Sequence, residues 1–252
     1  MKTLFAFIAS SDFSINHLPK GVNIDSTCIA VAGVSGGAYP AYAAGLYANP
    51  KPKVVCIHYG MGGQLLDDHW LEVKTEPRGF PGEDFITDEV MAPLLEKPIE
   101  PVSHAPISMS KDSMLLAKDN RLGLLTLFWK KGIYLDYLVG EPISAHLRTL
   151  PLSERTNAIP EHLRPAVLQT QFKSDFPPTV LIHGDQDSLI KLTESQTTYD
   201  RLRELGVKVE LIVVEGAAHA LMDPLNLPNQ VVGAAEVEEK AMIFVAEELF
   251  RK

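Results

Sequence analysis

The sequence predicts an α/β fold, a mainly parallel sheet flanked by helices, on three observations. Short β-branched runs end in glycine turns, helix-like sequence follows each run, and the first three runs are apolar almost throughout. Alternating strand and helix grammar of this kind builds parallel sheets, whose strands are covered on both faces and so lose the polar alternation of a half-exposed strand. A chain of 252 residues, 46% of them hydrophobic, can bury one sizeable core. One domain over residues 1–252 is expected.

The four runs are Cys28–Ala32 leading into Gly33, Val54–Tyr59 into Gly60, Thr179–His183 into Gly184, and Val207–Val214 toward Gly216. The last alternates more than the others, which places it nearer a sheet edge. Between them, Ala38–Tyr47 reads as an alanine-rich helix lying close on its strand, and Ser188–Leu205 as an amphipathic helix closed by Gly206. Glu236–Arg251 carries Val237, Ala241, Phe244, Val245 and Leu249 near helical spacing, and is expected to pack on the sheet. The stretch 62–177 has many prolines, no clear strand and apolar helical segments such as Met114–Trp129. An insertion of that size between two strands is expected to form a helical cap. Its Trp70, Phe128, Trp129, Tyr134 and Tyr137 either line an apolar pocket or, as large aromatics more often do, fill the cap's own core.

Composition narrows the function classes. A formal net charge of −9 argues against nucleic acid or an anionic membrane surface as partner, since both repel an acidic chain. The apolar run in Met1–Ser10 is at the short limit of about 7 residues for a secretory signal and is not read as one. No later stretch approaches the roughly 18 apolar residues of a membrane-spanning helix, so a soluble protein is expected. Cys28 and Cys56 sit at or inside apolar runs, where free thiols behave as small hydrophobes. They are expected to stay unpaired, in a reducing, cytoplasmic setting.

Three motifs carry chemistry. Gly33-Val34-Ser35-Gly36-Gly37 fits G-x-S-x-G directly after a buried run and before a helix, where a sharp strand-to-helix turn exposes a nucleophilic serine, and glycines two residues to either side are expected to relieve crowding. A glycine-rich structural turn is the alternative reading of the pentapeptide. His183-Gly184-Asp185-Gln186-Asp187 follows the third run, and Asp187, three residues beyond the glycine, can reach across the sheet's carboxyl edge; Asp185, next to the glycine, suits a turn residue that bonds backbone. Glu215–Ala220 follows the fourth run and presents His219 in a small-residue loop. Ser35, Asp187 and His219, in that chain order after successive strands, are the candidate catalytic triad. Asp67-Asp68-His69 is read as a solvated surface patch, because adjacent residues point different ways and no further ligand cluster is evident; no metal is expected.

On these residues the chain resembles the α/β-hydrolase superfamily, and within it the hormone-sensitive-lipase-like esterase branch. Asn23–Gly33 is similar to that branch's approach to the serine turn, and His183–Asp187 and Ala217-Ala218-His219 to its two later motifs. The resemblance runs from about Leu18 to the C-terminus and is weakest in the cap. It implies hydrolysis of a small-molecule carboxylic ester without a cofactor, with the Gly36 N–H as an oxyanion-hole donor.

The family places a second oxyanion donor in a glycine-rich loop well upstream of the serine, and only 34 residues precede Ser35 here. The expectation is therefore a partial α/β-hydrolase fold lacking the N-terminal strands and that loop. His58–Gly63 is similar to the absent loop but comes after the serine, and is read as a pocket wall or hinge. Two alternatives stand beside an active esterase: a catalytically weak or inactive relative, surviving as a binding protein or partial gene product, and a serine peptidase resembling the prolyl oligopeptidases. Without upstream strands, Ile29–Ala32 would form an apolar open edge, with Leu4–Ile8 as its cover and self-association as the consequence if that cover fails.

Overall fold

A computed structural model describes residues 1–76, 86–95 and 122–251. They form two compact units, one of Met1–Leu65 with Val167–Lys252 and one of Leu66–Ala166.

The first unit is built on a parallel sheet of four strands in sequential order: β1 (Ala30–Val34), β2 (Val54–His58), β3 (Thr179–Gly184) and β4 (Val209–Val214). Its helices are α1 (Lys2–Ile8), α2 (Ser11–His17), α3 (Ala38–Tyr47), α4 (Thr193–Glu204) and α5 (Ala234–Phe250). Ala32 lies beside Cys56, Cys56 beside Val180 and Val180 beside Glu210, and partners in register point to the same side of a sheet. Val31, Val55, Ile57, Leu181 and Leu211 therefore share one face, packed by Ala38, Ala41 and Tyr42 of α3, Leu202 of α4, and Leu168, Phe172 and Phe176. On the other face Val54, Cys56, Val180, Ile182 and Val214 meet Ala234, Ala241 and Phe244 of α5.

Two boundaries differ from the sequence reading for local reasons. β1 starts at Ala30 because residues 25–28 form a turn, in which Cys28 N–H donates to the Asp25 carbonyl and Thr27 N–H to the Asp25 carboxylate. Likewise α4 starts at Thr193 and not at Ser188, since the Asp187 carboxylate takes the N–H groups of Leu189 and Ile190 and holds them in a turn. At its far end Gly206, with φ of 74°, closes the helix as expected.

The expectation that β1 is covered on both faces is corrected. β2 and β3 are buried almost throughout, whereas Ala30 and Ala32 are exposed and Val34 is 50% exposed. Helix α5 sits over β2, β3 and β4, and β1 is the outer strand of the described sheet. The segment Leu4–Ile8 lies within α1, whose Phe5 is buried against Ala44 of α3, Ala48 just beyond it, Ile29 and Val31. Phe5→Ala should destabilise the chain by about 3 kcal/mol and raise its tendency to self-associate through the β1 edge; urea unfolding and sedimentation at several concentrations would check both.

The second unit, Leu66–Ala166, packs short helices around aromatic side chains. Of the segment 114–129 expected to be helical, residues 122–129 fall in helix Leu122–Lys131 and the others lie outside the described residues. Trp70, Phe128 and Trp129 are buried within the unit, Trp70 against Tyr134 and Phe128 stacked on Tyr137 at 3.8 Å. The reading of Asp67-Asp68-His69 as a solvated patch is corrected in part. His69 is buried against both indoles, and Asp68 accepts from the buried Arg155 guanidinium at 2.6 Å. A one-turn helix, Asp68–Leu71, capped by the Asp67 carboxylate, turns the imidazole inward.

Among the described residues no helix is long and apolar enough to cross a membrane. Cys28 and Cys56 are both free thiols, and burial pushes the Cys56 thiol up to about 12.

Candidate active site

Ser35 follows β1 directly with φ of 54°, a left-handed conformation rare for a residue with a side chain, and the chain passes straight through a 3-10 turn, Ser35–Gly37, into α3. The reversal is sharp enough that a Cβ on Gly33 would lie 2.6 Å from the Gly37 carbonyl oxygen and 2.8 Å from Ala41 Cβ. Only glycine fits there. Gly37 is different: its φ is −67° and nothing occupies the space a Cβ would take, so relief of crowding explains the first glycine of the motif and not the last.

Ser35 Oγ–H donates to His219 Nε2 across 2.9 Å, and His219 Nδ1–H donates to Asp187 Oδ2 across 2.7 Å. Because the carboxylate only accepts, it fixes the proton on Nδ1 and leaves Nε2 free to receive one. The Asp187 carboxyl group is fully buried. Burial alone would push its pKa up, but hydrogen bonds from His183, His219 and the Ile190 N–H, with the charge of His219, outweigh it and hold the group down at about 2. Asp185 points elsewhere, accepting the Gly216 N–H at 2.8 Å and so tying the acid loop to the histidine loop. These loops touch at Gly184, where any Cβ would collide with the Ala217 carbonyl.

The turn after β2 meets this site from the side. The Tyr59 ring packs edge-on against the His219 ring, centroids 5.1 Å apart. Met61 N–H donates to the Ser35 carbonyl at 3.2 Å, and the N–H groups of Gly62, Gly63 and Gln64 converge on one oxygen of the Glu194 carboxylate at 2.7–2.8 Å. Glu194 is itself buried, and Gly63 approaches its backbone too closely for a side chain. The turn thus braces α4 against β2 and spends these N–H groups inside the protein. Gly36 is exposed at the start of the serine helix, where N–H groups have no partner within the helix.

Sequence reading gave no role to His183 or Glu194. The available signal for the first was a histidine in a fully buried central strand, which must find partners for both ring nitrogens. For Glu194 no local signal exists, since its partners lie 130 to 132 residues away. No three His, Cys, Asp or Glu side chains gather as a metal site among the described residues.

A serine turn after one parallel strand, with an acid and then a histidine supplied by the loops after the last two strands, is the arrangement of the carboxyl-terminal part of the α/β-hydrolase fold. No protein-family model matches the chain. It is similar to isoprenylcysteine alpha-carbonyl methylesterase of Arabidopsis thaliana, with 42% identity over 53 residues, 20% of this chain and 12% of that protein. Among solved structures it is similar to an acetyl ester-xyloside bifunctional hydrolase of Caldicellulosiruptor lactoaceticus, at 17% identity and a TM-score of 0.47 over 97% of this chain and 61% of the other. A sugar hydrolase of Lactococcus lactis gives 16% identity and a TM-score of 0.47 over 98% and 66%. The chain therefore spans about three fifths to two thirds of these structures and about an eighth of the methylesterase.

Proposed function

We propose that the chain is a serine hydrolase of carboxylic esters that works through an acyl-enzyme. The observation that carries the proposal is the unbroken hydrogen-bonded chain from Ser35 through His219 to a buried, ionised Asp187. Ser35 Oγ attacks the ester carbonyl carbon as His219 Nε2 takes its proton, and Asp187 stabilises the imidazolium that results. The Gly36 N–H donates to the developing oxyanion. His219 then returns the proton to the departing alkoxide, and a water activated by the same nitrogen releases the acid. Uncharged small or medium acyl esters suit a chain of net charge −9 better than anionic ones.

The test is covalent labelling. A fluorophosphonate probe should modify the chain once, at Ser35, and Ser35→Ala should abolish both labelling and hydrolysis of p-nitrophenyl acetate. Labelling that persists in the Ser35→Ala variant would sink the proposal. Peptide anilides set beside the ester would separate an esterase from a peptidase, and the ester is expected to be the better substrate.

A further inference from the structure

His183 is wholly buried in β3, yet both of its ring nitrogens are engaged. Its Nε2 lies 2.7 Å from the Ile190 carbonyl oxygen and 3.4 Å from Asp187 Oδ2, two groups that can only accept, so Nε2 carries the proton. Nδ1, at 2.7 Å, is then the acceptor for the Ser195 hydroxyl at the start of α4. The imidazole therefore bridges three pieces of the fold: its own strand, the first turn of α4, and the loop that carries Asp187.

We infer that His183 is a positioning residue for the proposed triad: its Nε2–H, shared between Ile190 and Asp187, fixes the carboxylate that orients His219. The inference rests on the reading of Ser35, His219 and Asp187 given above. Asp187 accepts the Leu189 and Ile190 N–H groups on Oδ1 and His219 on Oδ2, and His183 Nε2 stands 3.4 Å from the same Oδ2. The two backbone donors lie three residues or fewer away on the same loop and move with the carboxylate. His183 is different, because it sits on the central strand and holds the loop to the sheet through the Ile190 carbonyl. Without that tie the carboxylate keeps its local turn but loses its fixed height above β3, and the Nδ1–H tautomer of His219 loses the partner that selects it. Both groups are buried, so substrate binding is expected to be unaffected.

His183→Gln and His183→Asn test this as a pair. Gln carries an N–H group to where Nε2–H stood; Asn reaches only as far as Nδ1, toward Ser195. Both are polar and smaller than histidine, so a general loss of packing is common to the two. In protein labelled with 15N-histidine, the ring nitrogen shifts report the His219 tautomer directly, whether or not the chain is active. His183→Gln is expected to keep the Nδ1–H form and His183→Asn to mix in the other. With p-nitrophenyl acetate, His183→Asn should lower kcat by about 10- to 100-fold, the range found when outer partners of ligating side chains are removed, with KM within about twofold, and His183→Gln should recover most of it. Equal His219 tautomers in the two variants would overturn the inference, as would equal tautomer mixtures in both. If the tautomers part as expected but wild-type protein neither hydrolyses esters nor reacts with the fluorophosphonate, the positioning role stands and the esterase reading fails.

Discussion

Asp187→Asn is expected to lower kcat for an activated ester by about 10⁴-fold, with KM nearly unchanged. The size follows from which way the new amide must face. Oδ1 of Asp187 accepts two backbone N–H groups, from Leu189 at 3.0 Å and Ile190 at 2.9 Å, so the amide oxygen stays there and the amino group is forced into the Oδ2 position. At that position it meets His219 Nδ1 and the Nε2–H of His183. His219 relieves the clash by moving its proton to Nε2, which leaves no acceptor for Ser35. The nucleophile and its base remain 2.9 Å apart with the wrong proton between them. Steady-state kinetics with p-nitrophenyl acetate would check it, and a loss below tenfold would mean that Asp187 is not the orienting acid. The same substitution has a signature in stability. A carboxyl held at about 2 stabilises the folded chain above the ordinary aspartate range, and that contribution fades as pH falls from about 4 through 2. The difference in urea midpoint between wild type and Asp187→Asn should therefore shrink over that interval.

What was legible in the sequence was what depends on neighbouring residues. β2 and β3 are buried almost throughout, and a glycine demanded by a close approach stands just after the first, Gly60, and at the end of the second, Gly184, so their positions and the loops after them could be read directly. The serine turn was legible for the same reason at Gly33, where strand and helix nearly touch. Features set by distant partners were not. Nothing in Cys28–Val34 tells that α5 stops short of β1 and leaves Ala32 and Val34 exposed. Nothing around His69 announces that two tryptophans, one of them 60 residues on, enclose it. Glu194 reads as one more polar residue near a helix start, though its carboxylate closes the turn after β2. His183 stood in plain view within a recognised motif, but its function lies in Ser195 and Ile190, which the motif does not contain.

The turn after β2 also sets the expected limit on turnover. In the proposed mechanism the Gly36 N–H is the oxyanion donor, and most N–H groups of the turn after β2 are already bonded: Tyr59 to the Ile182 carbonyl, Met61 to the Ser35 carbonyl, and Gly62, Gly63 and Gln64 to Glu194. Releasing any of the last three toward a substrate would strip a donor from a carboxylate that is only 2% exposed, and an under-bonded buried carboxylate is costly. Loss of one oxyanion donor typically lowers turnover by about 10² to 10³. The deficit should fall unevenly across substrates, because a good leaving group reaches its transition state with less charge on the carbonyl oxygen. We therefore expect residues 1–252 to hydrolyse p-nitrophenyl acetate slowly, phenyl acetate at a rate lower by more than about 10², and simple alkyl acetates below detection. A series of phenyl acetates with graded leaving groups would give the dependence as a slope. Rates for alkyl and p-nitrophenyl esters within tenfold of each other would mean that a second donor acts in the oxyanion site, and the hydroxyl of Tyr59, whose ring packs against His219, would be the first group to remove, by Tyr59→Phe.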